Sequence, residues 1–370
     1  MMVRYHKFKI IIALLLACFS TKGQDTVNRT ILWKANEDGV FAHFVYGLTV
    51  TQRGTILAFA EARINDGTDE GAHHIVLKRS VDKGDSFSAS TIIVKSENGQ
   101  CWANPTAVQD RKTGRLFLFY ALNQRNAGTA VFYKCSNDDG VSWSEATAVT
   151  FLFDNNPYNW TFHLPGPGHG IQLKNKRLMV SIWHRRSISF SVAERQYGVN
   201  CIYSDDQGKT WKSGGYTPVG ELNESQIVEQ ANGNIFLIGR TVTGVSGSRQ
   251  AKVWSKDKGE SWTQELDYDS ALKGSACDIG LVRYSSKPNV ILLSQPAGLK
   301  KRNDLTIRMS KDEGRTWPIS KLLQEGGATY SDLAVLPDKS IICLYGHGGS
   351  KHMPEAVSLA RFRLKWLLER

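Results

Sequence analysis

Ser204-Asp205-Asp206-Gln207-Gly208-Lys209-Thr210-Trp211 is one copy of a phrase that recurs five times along the chain as Ser-x-Asp-x-Gly-x-x-(Trp/Phe). The other copies run Ser80 to Phe87, Ser136 to Trp143, Ser255 to Trp262 and Ser310 to Trp317. In chain order their starts lie 56, 68, 51 and 55 residues apart. A period near that length points to propeller blades or another repeat array. Asp bonds nearby backbone and Gly supplies φ > 0, so together they make a tight turn. The Ser hydroxyl satisfies another turn amide, and the aromatic residue buries itself to pin a hairpin. Apolar runs such as Ile75-Val76-Leu77 and Leu305-Thr306-Ile307 precede the copies. The phrase therefore closes β-hairpins and belongs to the scaffold.

Working outward from these turns, short β-branched and aromatic runs recur, each bounded by Gly, Asn or Asp. Examples are Thr55-Ile56-Leu57-Ala58-Phe59-Ala60, Leu116-Phe117-Leu118-Phe119-Tyr120 and Ile235-Phe236-Leu237-Ile238. Such runs are expected of strands buried between packed sheets. No long segment has a 3.6-residue period; Glu355 to Leu368 is read as a terminal strand or short helix. Dividing the chain after its first 23 residues by the repeat spacing gives about six units, five of which carry the phrase. The expected fold is all-β, a six-bladed β-propeller filling residues 24–370, with one blade lacking the turn or completed by both termini. An open solenoid is the alternative, but no distinct capping repeats are seen.

The first residues read as a targeting segment. Arg4, Lys7 and Lys9 precede the apolar run Ile10 to Ala17, which is too short to span a bilayer as a helix and reads as a secretory signal over residues 1–23. Leu15-Leu16-Ala17-Cys18 also resembles a lipoprotein box. The expected location is outside the cytoplasm, with no integral membrane span after cleavage. The formal net charge is +11. Its cations are dispersed, without the clustered basic and aromatic runs of a nucleic-acid binder. The cysteines are scattered, with no CxxC or Cys/His metal spacing. They are read as small buried apolar residues, and neither a disulfide framework, a metal nor a cofactor is expected.

The repeated phrase is the Asp box of the sialidases, and the resemblance extends to ordered segments between the boxes. Gly54 to Arg63, Asn104-Pro105-Thr106-Ala107-Val108-Gln109-Asp110 and Gly166 to Leu173 resemble segments of the retaining exo-sialidase family. The resemblance implies a glycoside hydrolase that releases terminal sialic acid or a related nonulosonic acid from glycans, acting as a monomer. It also implies roles for individual residues. Tyr330, in Ala328-Thr329-Tyr330-Ser331-Asp332, matches the nucleophile, and Glu224 its carboxylate partner. Arg240 and Arg302 match arginines that bind the substrate carboxylate, and Arg63 matches a substrate-facing arginine. The acid falls in Asp66-Gly67-Thr68-Asp69-Glu70-Gly71; counting back from Ile75 selects Asp69, with Asp66 as the other register. A tyrosine nucleophile suits a sugar that carries a carboxylate on its anomeric carbon, because an Asp or Glu nucleophile would face like-charge repulsion; sialidases are an exception to the two-carboxylate scheme.

One departure from the family pattern bears on the substrate. Where sialidases have Tyr/Phe-Arg-Ile-Pro, this chain has His43-Phe44-Val45-Tyr46, so Phe44 takes the place of the first carboxylate-binding arginine. Where they tend to have Tyr-Glu, with the Glu buttressing that arginine, it has Tyr345-Gly346. Paired loss is physically consistent, since a buried Glu without its cation would be an unpaired charge. Replacement of the cation by His43, His347 or Lys351 is one expectation, and a different sugar substrate another. A glycan-binding propeller without catalysis is the reading from a different functional class.

Overall fold

The computed structural model describes residues 26–187, 189–191, 193–245, 248–349 and 353–369. The targeting segment 1–23 with Cys18, and Lys351, lie outside the described residues. The chain is all-β, with one short helix, Leu364–Leu368, following the last strand, Ala356–Phe362; the C-terminal stretch thus holds both a strand and a helix. No described helix is long and apolar enough to cross a membrane.

Strand pairing produces sheets of nine, five, four and seven strands. The nine-stranded sheet consists of two antiparallel groups. One comprises Ala42–Val50, Ile56–Arg63, His73–Ser80 and Thr91–Val94; the other comprises Cys101–Gln109, Leu116–Asn123, Thr129–Ser136 and Thr147–Ala148. A single parallel pair, His73 with Cys101, joins them. The ninth strand, Gly168–His169, runs parallel to Cys101–Gln109. In the seven-stranded sheet, the 17-residue strand Ile319–Val335 is shared by two groups. Its first half closes the group Gly280–Ser286, Asn289–Pro296, Asn303–Ser310. Its second half opens the group continued by Ile341–His347 and Ala356–Phe362. That last group has no box after its third strand; instead the N-terminal strand Asn28–Lys34 pairs with Ala356–Phe362.

Every box behaves as its composition predicts. In the first copy Ser80 Oγ donates to Asp82 Oδ1 at 2.7 Å and accepts from the Gly84 amide at 2.8 Å. Asp82 also accepts from the Ser86 amide at 3.0 Å and the Ser86 hydroxyl at 2.5 Å. The glycines take positive φ, from 81° to 94°, a region L-residues avoid. The structure also explains a regularity that sequence reading missed. The seventh position is Ser86, Ser142, Thr210, Ser261 or Thr316, and in every copy its hydroxyl caps the box aspartate.

The core lies between successive groups. Phe117, Phe119 and Val131 of one pack against Val180, Ile182 and Ile202 of the next, as in face-to-face sheet packing. The box glycines sit in the same seams. A Cβ on Gly140 would meet Leu57, on Gly208 Phe117, on Gly259 Met179 and on Gly314 Phe236, in each case a residue of the preceding group. Gly84 of the first group meets Leu359, in the last. Four of the five described cysteines, Cys101, Cys201, Cys277 and Cys343, are buried. The first strand of the first group, Ala42–Val50, lies against Cys101–Gln109 on one side and Ile319–Val335 on the other, while Leu178–Arg185 joins its group to Leu222–Glu229.

Candidate active site

Four of these first strands slip register near their N-terminal ends. The slips fall between Phe44 and Tyr46, Ala103 and Thr106, Leu222 and Ser225, and Ala328 and Ser331. An extra residue bends a strand and re-aims a side chain. Here the bulges deliver Phe44, Asn104, Glu224 and Tyr330 to a single cavity of about 470 Å³. Val45 is strained in consequence: its φ is 54°, unusual for a β-branched residue and the kind of conformation that collects at functional sites. All six residues singled out in the sequence, Arg63, Asp69, Glu224, Arg240, Arg302 and Tyr330, line this cavity.

At its floor Tyr330 Oη donates to Glu224 and lies 2.5 and 2.6 Å from the two carboxylate oxygens. Arg240 Nη1 donates to Tyr330 Oη at 2.9 Å and to Glu224 Oε2 at 2.7 Å. Burial and the Glu224 carboxylate push the Tyr330 phenol well above its ordinary range, while Arg240 and Arg302 pull it back. The hydroxyl therefore keeps its proton at rest and has both an acceptor for it and a cation to stabilise a developing phenolate. Burial works against the charge on Arg240, but Tyr330 and Glu224 outweigh it and raise its pKa. Its Nε is buried without a partner, leaving donor capacity for a ligand. Arg302 lies over the Tyr330 ring, 5.1 Å from its centroid, and its Nε is held by the Ala276 carbonyl at 3.1 Å.

On the first group's side Arg63 ties the acid loop to the sheet. Its Nη1 is 2.8 Å from Asp69 Oδ1 and 2.7 Å from the Gly67 carbonyl, and its Nη2 is 2.9 Å from Glu61 Oε2. Asn123 Nδ2 donates to the Asp69 carbonyl at 2.9 Å. The Asp69 side chain is 84% exposed toward the cavity, so an incoming leaving group can reach it. Asp66 is occupied within its own loop. Its Oδ1 accepts the Thr68 hydroxyl and amide, which hold its carboxyl below the usual range. Asp69 is thus open to a ligand in the cavity, whereas Asp66 is engaged within its own loop.

Phe44 is wedged between the two halves of the site. Its ring centroid is 4.7 Å from that of Tyr330, and the Arg63 guanidinium carbon is 4.9 Å from it on the cavity wall. His43 does not replace the missing cation. Burial, then the Lys78 charge, depresses its pKa to about 3, and its ring stacks on Trp33 at 5.2 Å. Nor does His347, whose Nε2 is 2.8 Å from Ser358 Oγ and whose pKa burial lowers. The missing acid is excluded sterically: a Cβ at Gly346 would run into Tyr46 Oη and Thr329 Oγ1. Phe44 packs edge-on against Tyr46, whose Oη in turn occupies the space a Gly346 side chain would need.

Several wall residues escaped sequence reading. Glu61 is a buried carboxyl that accepts from Arg63 and, at 2.9 Å, from the Asn104 amide; burial raises its pKa to about 7 against the pull of Arg63. It lies within the segment Gly54 to Arg63, two residues before Arg63, and that alternation on one strand face was the available signal. Asp278 does not line the cavity but is fully buried, and burial, then Glu224 and Asp332, raise its pKa. Arg185, from a different group, had no sequence signal. Among the described residues no three His, Cys, Asp or Glu side chains converge on a point that would hold a metal. A larger cavity, about 550 Å³, opens at the opposite ends of the first strands, among Leu48, His169 and Arg283, and contains none of the six residues.

The sequence profile of the BNR repeat-like domain family matches residues 54–343. The chain is 30% identical over 344 residues to a sialidase of Micromonospora viridifaciens, covering 86% of this chain and 51% of that protein. It is 28% identical over 359 residues to a sialidase of Bacteroides fragilis, covering 88% and 63%. It therefore spans between about half and two thirds of the length of these relatives. Among solved structures, the Hadza microbial sialidase Hz136 superposes with a TM-score of 0.78 at 24% identity, covering 90% of this chain and 67% of that one. An intramolecular trans-sialidase from Ruminococcus gnavus, in complex with oseltamivir carboxylate, gives 0.77 at 19% identity, covering 92% and 98%. At these identities the structural likeness is one of fold.

Proposed function

The chain belongs to the BNR repeat-like domain family, and from that premise we propose that it is a retaining exo-sialidase. It would release terminal sialic acid, or a related nonulosonic acid, from glycoconjugates on a six-bladed propeller. Three observations support closure of the propeller. The antiparallel groups among the described residues number six, neighbouring groups touch in chain order and the last touches the first, and Gly84 of the first group packs on Leu359 of the last. The N-terminal strand completing the final group accounts for five boxes in six blades. The proposed place of action is outside the cytoplasm, on the basic and apolar pattern of residues 4–17.

The observation that carries the activity is the Tyr330–Glu224–Arg240 triangle. A binding protein has no use for a phenol sharing its proton with a buried carboxylate beneath an arginine. In the proposed first step Tyr330 Oη attacks the anomeric carbon and its proton passes to Glu224. The glycosidic C–O bond breaks and Asp69 protonates the departing oxygen. In the second step Asp69 takes a proton from water, and the water oxygen bonds to the same carbon as the bond from that carbon to Tyr330 Oη breaks. Glu224 returns the proton to the released phenolate. Arg240 and Arg302 hold the substrate carboxylate with planar donors that Lys cannot reproduce.

Hydrolysis of 4-methylumbelliferyl sialoside tests this reading, with NMR of the first-formed anomer reporting retention. No turnover with any nonulosonic-acid glycoside, combined with saturable sialoside binding, would establish the non-catalytic glycan-binding reading instead. Phe44 supports a second possibility, a hydrolase of another acidic or neutral sugar. Weaker inhibition by the unsaturated sialic-acid analogue than by other sugars would favour it.

A further inference from the structure

Arg185 lies at the end of the strand Leu178–Arg185 and lines the catalytic cavity without belonging to the machinery on its floor. Its guanidinium lies flat on Phe162, 3.6 Å from the ring centroid. One Nη donates to the Arg186 carbonyl at 3.0 Å. Among the described residues, no carboxylate lies within ion-pair distance of it. Burial is severe enough to lower its pKa to about 10. A half-buried cation held by an aromatic face and a carbonyl lacks the counter-charge that Arg63 has in Asp69 and Glu61 and Arg240 has in Glu224. It resembles Arg302, which rests on the Tyr330 ring and the Ala276 carbonyl and is assigned above to the substrate carboxylate.

Its position says which part of a ligand it can meet. A run of contacts ties Arg185 to the acid loop. Its carbonyl accepts from the Thr161 amide at 3.3 Å, and the Thr161 carbonyl accepts from the Thr129 amide at 2.9 Å. Thr129 pairs with Asn123, and Asn123 Nδ2 donates to the Asp69 carbonyl at 2.9 Å. Arg185 therefore belongs to the side where the leaving group departs, across from the carboxylate clamp. With one face covered by Phe162, its N–H edge is the part presented to a ligand, and that edge suits oxyanions.

Resting on the sialidase reading, we propose that Arg185 is a specificity-determining residue that binds a second oxyanion of the substrate, carried by the leaving glycan. The preferred substrate is then doubly anionic: its carboxylate meets Arg240 and Arg302, and a sulfate ester or a further acidic sugar meets Arg185. Both substituents offer the same chemistry, an oxyanion that a guanidinium edge can bridge.

The test compares a sialylated trisaccharide with the same glycan sulfated on its leaving sugar, and with a disialylated glycan. The wild-type chain should show kcat/KM about tenfold higher for at least one doubly anionic substrate, carried mainly in KM, as expected of one charge-assisted contact. In Arg185→Met that ratio should fall to about one, and Arg185→Lys should keep part of it. A merely structural role for Arg185 would lower all substrates by the same factor and leave the ratio unchanged, which would overturn the proposal. Calorimetric binding of the three glycans to Tyr330→Phe, with and without Arg185→Met, gives the same ratio without turnover. An unchanged ratio there sinks only the Arg185 assignment; no binding of any of the three sinks the sialoside reading, and this inference with it.

Discussion

The two ends of the sheets are built on opposite principles. At one end sit five box turns whose Ser, Asp, Gly and hydroxyl residues satisfy one another within seven positions of sequence. At the other end lies a cavity whose contacts join residues far apart, such as Tyr330 with Glu224 and Phe44 with Tyr330. Register places them apart: Val50, Ile56 and Ser80 are aligned at the box end, whereas Ala42, Arg63 and His73 are aligned at the cavity end. Local satisfaction makes the turns interchangeable and robust. Long-range assembly makes the cavity individual, and its strain at Val45 is tolerated because the surrounding sheets fix it.

This contrast predicts that damage to the cavity abolishes activity while leaving stability nearly intact. Tyr330→Phe removes the proposed nucleophile and a hydroxyl but little volume. We expect kcat on sialosides to fall by about 10⁴-fold or more, with a thermal midpoint close to that of the parent. Residual activity within tenfold of the parent would mean that Tyr330 is not the nucleophile.

The next largest effect concerns Phe44. Phe44→Arg places a cation in the wall beside Arg63, with no acid to receive it and with the Gly346 position blocked by Tyr46. An uncompensated buried charge costs about 3–5 kcal/mol, and no gain in sialoside affinity is expected. Combining it with Tyr46→Ala and Gly346→Glu should recover part of the loss in chemical denaturation. If Phe44→Arg alone is as stable as the parent, the three positions are not the coupled set inferred here.

The same contrast explains what the sequence reveals. The box turns were legible in outline, because a turn of eight residues contains its own partners, although the seventh-position hydroxyl that caps each aspartate was missed. The residues on the cavity floor were legible only by resemblance, since nothing within the neighbourhood of Glu224 indicates that Tyr330, 106 positions away, will share its proton. Asp278 and Arg185 were invisible for that reason, whereas Glu61 was signalled only by its alternation with Arg63 on one strand face. The expectation that His43 or His347 would supply the missing charge did not survive, because burial keeps both imidazoles neutral and aromatic or hydroxyl neighbours occupy them.

At the box end the opposite phenotype is expected. Gly208 has φ of 81° and its missing Cβ would enter the Phe117 ring of the preceding group. Gly208→Ala should cost about 2–4 kcal/mol, combining left-handed backbone strain with overpacking of the seam. Below its melting range the folded variant should retain kcat/KM within about twofold. A stable Gly208→Ala, or one folded but inactive, would break the separation between scaffold end and chemical end.

A dependence of stability on pH completes the comparison, and the buried groups set its sign. Burial keeps His43, His73 and His163 at about 3, 4 and 4, and His184 well below its ordinary value. Their folded pKa values lie below the unfolded value near 6.5, so between about 4.5 and 6.5 the unfolded chain binds protons that the folded chain refuses. Stability from these groups rises with pH across that window and is lost on acidification. Glu61, raised to about 7, and Asp278, raised by burial, act in the opposite direction: the folded state holds their protons, so their contribution is lost as pH rises. Four imidazoles outweigh two carboxyls, and each net proton is worth about 1.4 kcal/mol per pH unit. The box carboxyls enter only at lower pH. Asp138, for example, is drawn to about 2 by the Ser142 hydroxyl and amide and by Ser136, so its contribution is lost only as pH falls below the ordinary carboxylate range. Chemical denaturation at pH 6.5 and 4.5 should therefore show a less stable protein at the lower pH, and Glu61→Gln should steepen that dependence by removing an opposing group. A stability that increases on acidification through this window would show that the buried carboxyls, not the imidazoles, dominate the electrostatics of the fold.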